Sequence, residues 1–447
     1  MNALIKKSIN NQGLFKELIR YTLPLVAANL LQSFYSLTDF LLTGMFVGDA
    51  GLSAVSNGSQ VMVLYTGIII GLSNGGNVMI GQYTGAGRKK ECSACTGTFL
   101  TLFLGIGVLS ALGLWYYADP IVTMMKAPVR DMSAAYLLYC APGALAIAGY
   151  NAAAATLRGV GDSKRPLFCV TASVALNIFL DWLLMGPLEM GVVGAAIATA
   201  VSQYVSFGAA LLCLGFGKED RLLPERSDFF PRRNHVSSIM KIGFPCAVQM
   251  TVASVSWLSV TVLLNRYGMI VSAAYGASAR IKDVVQTVTA AISMAATAMI
   301  AQALGAGKHD KALKIMYLAM YLAVGFAAVN ILLAEVFAPT LVGLFSDGPE
   351  MISAGVENLR IEIIGQLFYA VFMIYHSMMT GAGHTKMVLF SSFVNCILVR
   401  AVLAGALSSI PVLGATGVYL ACMIAPASSI PIGAAYIRRG RWRKTLV

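Results

Sequence analysis

A chain of 447 residues with 57% hydrophobic and only 12% charged side chains is too apolar for a soluble globular protein, which carries about 25% charged residues. The net charge of +12 does not indicate a nucleic-acid partner, because Lys and Arg stand in short gaps between long apolar runs. Since lipid offers the backbone no hydrogen-bond partner, these runs predict membrane-spanning helices.

The predicted fold is all-α: a polytopic membrane protein with twelve transmembrane helices. Each span is long enough to cross roughly 30 Å of hydrocarbon at 1.5 Å per residue. The spans are expected at residues 21–46, 53–80, 93–117, 132–157, 166–186, 191–216, 238–264, 272–300, 314–338, 358–380, 387–408 and 413–437.

Positive charge alternates between the gaps that separate the spans. One set of gaps, together with the two termini, contains 25 of the 32 Lys and Arg residues. The other set contains only Lys126, Arg130, Arg266 and Arg360. The positive-inside rule therefore places the basic gaps and both termini in the cytoplasm.

A short glycine-rich segment occurs twice, 220 residues apart. The stretch 79–87 returns as 299–307, and both copies contain Gln-x-x-Gly-Ala-Gly. A second echo relates 157–164 to 379–386 at almost the same offset. We interpret these motifs as tight turns in which glycine adopts positive φ and lets helices pack closely. A phosphate-binding loop is a poor alternative, because no soluble strand precedes the motif.

The repeat predicts two pseudo-symmetric lobes of six helices each. Their expected bounds are 1–216 for the N-lobe and 238–447 for the C-lobe, which carries a basic tail. The polar stretch 217–237 is the expected cytoplasmic linker. Because six is an even number, both lobes have the same orientation in the membrane, as in a parallel repeat.

Two acids lie inside predicted spans of the N-lobe. Asp39 and Asp181 are expected in the outer half of the membrane, roughly 22–27 Å from the cytoplasmic ends of their helices. Asn177 shares a helix face with Asp181, and Thr199 on the next span approaches a similar depth. Ionisable groups are costly in lipid, so we expect this set to be functional.

The chemistry of these four side chains admits two coupling ions. Two acids at low dielectric raise each other's affinity for a proton, and hard oxygen ligands also suit Na⁺. The alternative is that each acid bonds a neighbouring helix or faces an aqueous vestibule. The 220-residue offset maps Asp39 to Ser259 and Asp181 to about Arg400. We therefore expect ion coupling in the N-lobe alone.

The C-lobe contains other charges within its spans. Lys282 and Arg280 are close to Asp283 along one helix, which permits either structural pairing, with Asp283 or a neighbour, or a gating role. Arg400 is expected to be a structural or cavity charge. Glu335 and Glu362 are expected near the outer helix ends, in contact with solvent.

Most aromatic residues are expected to serve packing or the interfacial belt, but some are candidates for a cavity that binds apolar cations through ring faces. The candidate cavity residues are Tyr35, Tyr139, Tyr150, Gln249, Trp257, Asp283 and Tyr369.

The order of several motifs resembles the multidrug and toxic compound extrusion (MATE) family. The motifs are Asp39-Phe-Leu-Leu-Thr-Gly with Gly48, the paired Gln-x-x-Gly-Ala-Gly, Leu157-Arg-Gly-x-Gly-Asp, Asn177-x-x-x-Asp181 and the stretch 191–199. The resemblance implies a twelve-helix, two-lobed exporter with a central cavity. It also implies a coupling site in the N-lobe at Asp39, Asn177, Asp181 and Thr199, with Asn151 as a further member. The C-lobe lacks the acids that other branches of the family carry there, since Gln249 and Gln366 occupy the relevant spans.

The expected function is secondary active antiport in a bacterial cytoplasmic (inner) membrane, with export of apolar or cationic drug-like compounds in exchange for H⁺ or Na⁺. No cofactor is expected, and the partners are the small-molecule substrate and membrane lipid, with the protein a monomer. The alternative is a flippase for lipid-linked oligosaccharides of a related fold, whose cavity would need several cationic residues. A channel or receptor is a further rival, which gradient-coupled flux would distinguish. A membrane enzyme is least expected, because no nucleophile–base pair emerges.

Overall fold

The computed structural model of the protein describes residues 2–215, 224–345 and 348–445. Residues 217–223, the first part of the predicted linker, lie outside the described residues. The described chain is almost wholly helical and contains no strand. The predicted all-α membrane fold is therefore confirmed.

Fourteen α-helices follow one another along the described chain. They are α1 (Asn2–Gly85), α2 (Lys89–Met124), α3 (Arg130–Cys140), α4 (Gly143–Gly159), α5 (Lys164–Met185), α6 (Gly191–Gly215), α7 (Arg233–Asn265), α8 (Met269–Gly305), α9 (His309–Gly343), α10 (Pro349–Gly381), α11 (Thr385–Phe393), α12 (Val402–Ser408), α13 (Gly414–Ile424) and α14 (Ser429–Arg438). A π-helical segment, Val394–Ala401, joins α11 to α12, and a short 3₁₀ turn, Ala425–Ser428, joins α13 to α14.

Helix α1 contains two membrane spans rather than one. Its 84 residues exceed the length of a single span several times over. The break falls at Gly48, whose φ of 78° and ψ of −168° no other residue adopts readily. Ten helices are long and apolar enough to cross a membrane, and the bent pair α3–α4 makes eleven. With α1 divided at Gly48, the described chain contains twelve spans.

The bend between α3 and α4 measures 46° and coincides with Pro142. Proline has no N–H and displaces the preceding helical turn, so carbonyl groups at the bend lose their helical donors. Two tyrosine hydroxyls donate to carbonyls just after the bend. Tyr204 donates to the Pro142 carbonyl at 3.0 Å, and Tyr65 donates to the Ala144 carbonyl at 2.8 Å.

The repeated glycine motifs end helices in the same way. Gly87 and Gly307 have φ of 70° and 68°, and Gly161 and Gly383 have φ of 99° and 82°. In each turn the residue after this glycine donates its N–H to a carbonyl five residues earlier, as Arg88 does to Tyr83 at 3.0 Å. This is the Schellman pattern, which satisfies carbonyls that a helix end would leave without donors. The interpretation as structural turns is confirmed.

The chain divides into two compact units, Leu23–Ala247 and Met1–Thr22 with Val248–Leu446. In the first unit, α6 packs against α3, α4 and α5, and α2 packs against α4. In the second, α8, α9 and α10 pack on one another, and α13 packs against α10 and α12. The first half of α7 belongs to the first unit, although the predicted C-lobe began at residue 238. The predicted lobe boundaries stay a prediction.

Glycines allow the second half of α1 to contact α7 backbone to backbone within the first unit. A Cβ added at Gly75 would lie 2.1 Å from the Ile239 carbonyl oxygen. At Gly243 it would lie 2.4 Å from the Leu72 carbonyl oxygen. Gly71, one turn before Gly75, makes a similar approach to Ala247. This is the small-xxx-small packing by which membrane helices associate closely.

We predict that Gly75→Ala destabilises the protein by about 1–3 kcal/mol, because backbone atoms of α7 must move to admit one methyl group. Gly67→Ala on the same span is the matched control, because no atom lies within 4 Å of its added Cβ. The control should be neutral or stabilising by about 0.5–1 kcal/mol through helix propensity. Unfolding of the purified variants in detergent measures both effects, and equal stability would contradict the packing argument.

Candidate functional site

Asp39 on α1 and Asp181 on α5 bring two carboxyl groups together inside the first unit. Their side chains are only 8% and 0% exposed, and the two groups lie within hydrogen-bonding reach of each other. An ionised carboxylate only accepts hydrogen bonds, so a bond between the pair requires a proton on one of them. The Oδ1 atom of each acid is buried and has no hydrogen-bond partner among the described residues. The pair therefore places carboxyl oxygens that can still accept hydrogen bonds in the interior of the unit.

Asn177 connects this pair to α6. With its amide oriented to satisfy its neighbours, the Asn177 nitrogen donates to Asp181 Oδ2 at 2.7 Å. In the same orientation its oxygen accepts from the Thr199 backbone N–H at 3.3 Å. The Thr199 hydroxyl in turn lies 3.2 Å from the Tyr35 hydroxyl. The structure thus brings together the four polar residues expected to converge from their depth, and adds Tyr35.

Two groups beside the pair were missed by the sequence reasoning. Thr43 is fully buried and donates its hydroxyl proton to the Asp39 carbonyl at 2.8 Å. Its position four residues after Asp39 is the signal that would have found it, because such residues share a helix face. Tyr136 on α3 is 2% exposed and lies close to Asp39. The sequence gives no comparable indication for Tyr136, because it lies on neither of the two helices that carry the acids.

The other N-lobe candidates are placed less directly. Asn151 donates its side-chain N–H to the Ile147 carbonyl of its own helix at 2.8 Å. Tyr150 is buried, whereas Tyr139 is 47% exposed. In the described part of the chain, no hydrogen bond joins these three side chains to the carboxyl pair. Their predicted roles in coupling and in the cavity stay predictions.

The C-lobe candidates lie on α7, α8 and α10. Trp257 is half-buried and stacks beneath the Arg400 guanidinium, with 4.2 Å between the Arg400 Cζ and the ring centroid. Tyr369 and Gln249 are half-buried, and Asp283 is exposed. Their roles in substrate binding also stay predictions.

Lys282 on α8 forms a buried ion pair with Glu362 on α10, and both side chains are 3% exposed. Asn358 supports the pair by donating to Glu362 Oε1 at 2.8 Å. The Lys282 ammonium also lies over the Tyr275 ring, 5.1 Å from its centroid. The pairing of Lys282 is therefore with a neighbouring helix and not with Asp283.

The expectation that Glu362 contacts solvent is wrong. Leu359 and Ile363 on the same stretch of α10 are buried, so this helix face packs inward and carries Glu362 with it. A buried carboxylate must then be paired, which Lys282 provides. Glu335, by contrast, is half-exposed and pairs with Arg360 at 3.2 Å, as expected of a residue near a helix end.

Twelve apolar spans, an internal repeat and a buried polar cluster held between helices define a polytopic membrane transporter. A family model described as MatE matches residues 24–183 and 245–405, which is more than half of the chain and covers each half once. The chain belongs to this family of multidrug and toxic compound extrusion transporters, as its motifs indicated.

Relatives match along most of the chain. The probable multidrug resistance protein YpnP of Bacillus subtilis is 25% identical over 433 residues, 96% of each chain. The FAD transporter of Shewanella oneidensis is 27% identical over 328 residues, 71% of each chain. The solved structure of the Vibrio cholerae MATE transporter VcmN has a TM-score of 0.91 at 19% identity and covers 97% of this chain and 99% of its own. At that identity, the last similarity supports the fold alone.

We predict that the Lys282–Glu362 pair is strongly coupled in stability. Lys282→Met or Glu362→Met should each cost about 3–5 kcal/mol, because each leaves an uncompensated buried charge. The double variant should be more stable than either single one. Glu335→Gln, which removes a half-exposed pair, is the control and should cost at most about 1 kcal/mol. A double-mutant cycle of detergent unfolding measures the coupling, and additive costs would show that the two charges act independently.

Proposed function

We propose that this protein is a multidrug efflux antiporter of the MATE family, in which H⁺ or Na⁺ entering through the Asp39–Asp181 cluster drives the export of apolar and cationic compounds. The observation that carries the proposal is the pair of facing, buried carboxyl groups with vacant Oδ1 positions. Isolated charges in a membrane interior are costly, so a pair held there without a basic partner indicates a cation or proton site.

The cluster offers the ligands that such an ion needs. Asp39, Asp181 and the Thr199 hydroxyl are hard oxygen groups of the kind that Na⁺ accepts by analogy with other hard cations. Asn177 would join them by rotating its amide so that the oxygen, and not the nitrogen, faces Asp181. A proton is held equally well, because one proton converts the facing carboxyls from repulsion to a hydrogen bond. The Tyr35 hydroxyl on α1, which lies 3.2 Å from the Thr199 hydroxyl on α6, adds a further polar group beside the pair.

Coupling follows if the ion and the exported compound favour different conformations. A ligand shifts a conformational equilibrium only by its difference in affinity for the two states. Binding of the coupling ion removes charge repulsion between Asp39 and Asp181 and so favours states in which α1 and α5 pack tightly around them. A state with the pair ionised favours wider separation of the same helices. Alternation between these states moves substrate outward as the ion moves inward.

Membrane placement and assembly are part of the proposal. The charge distribution supports a multi-pass protein of the bacterial cytoplasmic membrane with both termini in the cytoplasm. The repeat supports lobes at 1–216 and 238–447 that are joined by a cytoplasmic linker. We propose that the protein acts as a monomer without a cofactor.

The flippase alternative gains no support from the C-lobe charges. It needs several free cations, but Glu362 neutralises Lys282, which leaves Arg400 as the one buried lysine or arginine of the C-lobe without a carboxylate partner among the described residues. The relative that is named an FAD transporter, however, suggests that transported compounds extend beyond simple organic cations. Substrate range is therefore the part of the proposal that direct measurement must define.

We predict that Asp39→Asn or Asp181→Asn reduces gradient-driven export tenfold or more, because the neutral amide cannot gain and lose the coupling ion. Efflux is measured in vesicles or proteoliposomes with the proton gradient and the sodium gradient imposed separately. The gradient that drives export in the wild type identifies the coupling ion.

The control for this experiment is Asp310→Asn, an exposed acid at the start of α9 that lies outside the cluster. It should retain gradient-driven export within about twofold if coupling belongs to the N-lobe. Undiminished export by Asp39→Asn would contradict the assignment of the coupling site. Substrate movement without dependence on either gradient would instead indicate a channel.

A further inference from the structure

Arg400 is a second buried charge that coupling does not use. It lies on the eleventh span, 15 residues after α11 begins, which places it roughly 22 Å from the cytoplasmic end of that helix. Its side chain is 4% exposed, and its Nε and Nη1 atoms have no hydrogen-bond partner in the described part of the protein. The guanidinium lies over the face of Trp257, with 4.2 Å between Arg400 Cζ and the ring centroid.

A ring face does not neutralise a buried cation. Attraction to Trp257 offsets part of the desolvation of Arg400, but it leaves the Nε and Nη1 donors without acceptors among the described residues. Buried charges in native proteins are paired or hold a ligand. Glu362 is a buried acid of the same unit, but it is already bound to Lys282 and Asn358. The guanidinium of Arg400 is therefore able to bind an anionic group.

The helix around Arg400 is built in an unusual way. Residues Val394–Ala401 form a π-helix, in which hydrogen bonds run from i to i+5 and each turn holds an extra residue. Asn395 and Arg400 are five residues apart and so share a face of this segment. The widened turn is supported from α7, where Ser256 donates to the Cys396 carbonyl at 2.7 Å. Such segments are frequently found at functional sites.

The arrangement repeats that of the N-lobe with the opposite charge. On α5, Asn177 and Asp181 are four residues apart and share an α-helical face. On the eleventh span, Asn395 and Arg400 are five residues apart and share a π-helical face. Asp181 and Arg400 both lie in the outer half of their spans. The duplicated scaffold thus presents a buried acid in one lobe and a buried guanidinium in the other.

We propose that Arg400 binds an anionic group, a carboxylate or phosphate, of a transported compound that also carries an aromatic ring. The guanidinium matches either anion through two parallel hydrogen bonds, and the half-buried rings of Trp257 and Tyr369 offer faces for the aromatic part. This inference rests on the proposed efflux function and extends its substrates from cations to zwitterionic and anionic compounds. The same chemistry would also accept the phosphate of an anionic lipid, which the experiment separates.

The test uses Trp257 as the reporter, in full-length protein whose other three tryptophans are changed to phenylalanine. Iodide is an anion that quenches indole emission, and acrylamide is a neutral quencher. In nanodiscs of phosphatidylcholine alone, iodide should quench Trp257 with a saturable component, because the anion occupies the site beside the ring. Arg400→Gln should raise the half-saturating iodide concentration tenfold or more, and Arg400→Lys should have an intermediate value. Arg360→Gln, a half-exposed cation, is the matched control and should resemble the parent protein.

The organic part of the ligand is tested with riboflavin and its phosphate, FMN, which share one ring system and differ by the anionic group. FMN should displace iodide at concentrations at least tenfold lower than riboflavin does, and Arg400→Gln should remove this difference. A parallel titration in nanodiscs that contain phosphatidylglycerol identifies competition by lipid. Loss of the iodide site there, together with no preference for FMN, would assign Arg400 to a lipid headgroup and overturn the substrate assignment.

Other outcomes are equally decisive. An iodide response that is unsaturable, or unchanged in Arg400→Gln while acrylamide quenching is also unchanged, would overturn the anion site. Equal acrylamide quenching of the variants shows that the region around Trp257 remains folded. The measurement needs no ion gradient, so Asp39→Asn should leave it intact. Failure of gradient-driven export would therefore refute the proposed antiport without altering the result at Arg400.

Discussion

A hydrocarbon solvent supplies no hydrogen bonds, and the structure depends throughout on meeting that constraint from within. Helices satisfy most backbone groups, and the remaining groups lie at helix ends and bends. Four Schellman turns satisfy carbonyls at helix ends, and tyrosine hydroxyls donate to carbonyls around Pro142. In the same way, the Ser256 hydroxyl donates a hydrogen bond to the Cys396 carbonyl in the π-helical turn. The sequence places glycine or a hydroxyl group where the regular ladder of backbone hydrogen bonds is interrupted.

The same constraint governs charge, and the two units meet it differently. The first unit buries Asp39 and Asp181 against each other with an amide and hydroxyls around them. The second unit buries Lys282 with Glu362, and places Arg400 on Trp257. One of these arrangements is self-contained, because lysine and glutamate neutralise each other. The other two leave donor or acceptor capacity unused, which is why they attract a functional explanation while the Lys282–Glu362 pair does not need one.

Hydropathy was sufficient to predict the twelve spans, because the thickness of the hydrocarbon layer sets a minimum length that each must reach. The convergence of Asp39, Asn177, Asp181 and Thr199 was also accessible, since helix direction and rise per residue give depth. The partner of Lys282 could not be predicted from the sequence, because it depends on how α8 and α10 are rotated about their axes. The π-helix could not be predicted for a related reason, because one extra residue in a turn does not change the apolar composition of the span. Gly48 marked the boundary between spans, but the absence of a loop there follows only from its backbone angles.

The glycine turns also determine which parts of this protein can move separately. Three residues separate α1 from α2, α8 from α9, and α10 from α11, and four separate α4 from α5. A connector of that length, which already contains a hydrogen bond between residues five apart, cannot lengthen without breaking that bond. The two helix ends joined by each turn must therefore move together. Any displacement of the start of α5 also displaces the end of α4, so the smallest moving piece of this fold includes the turn between two helices.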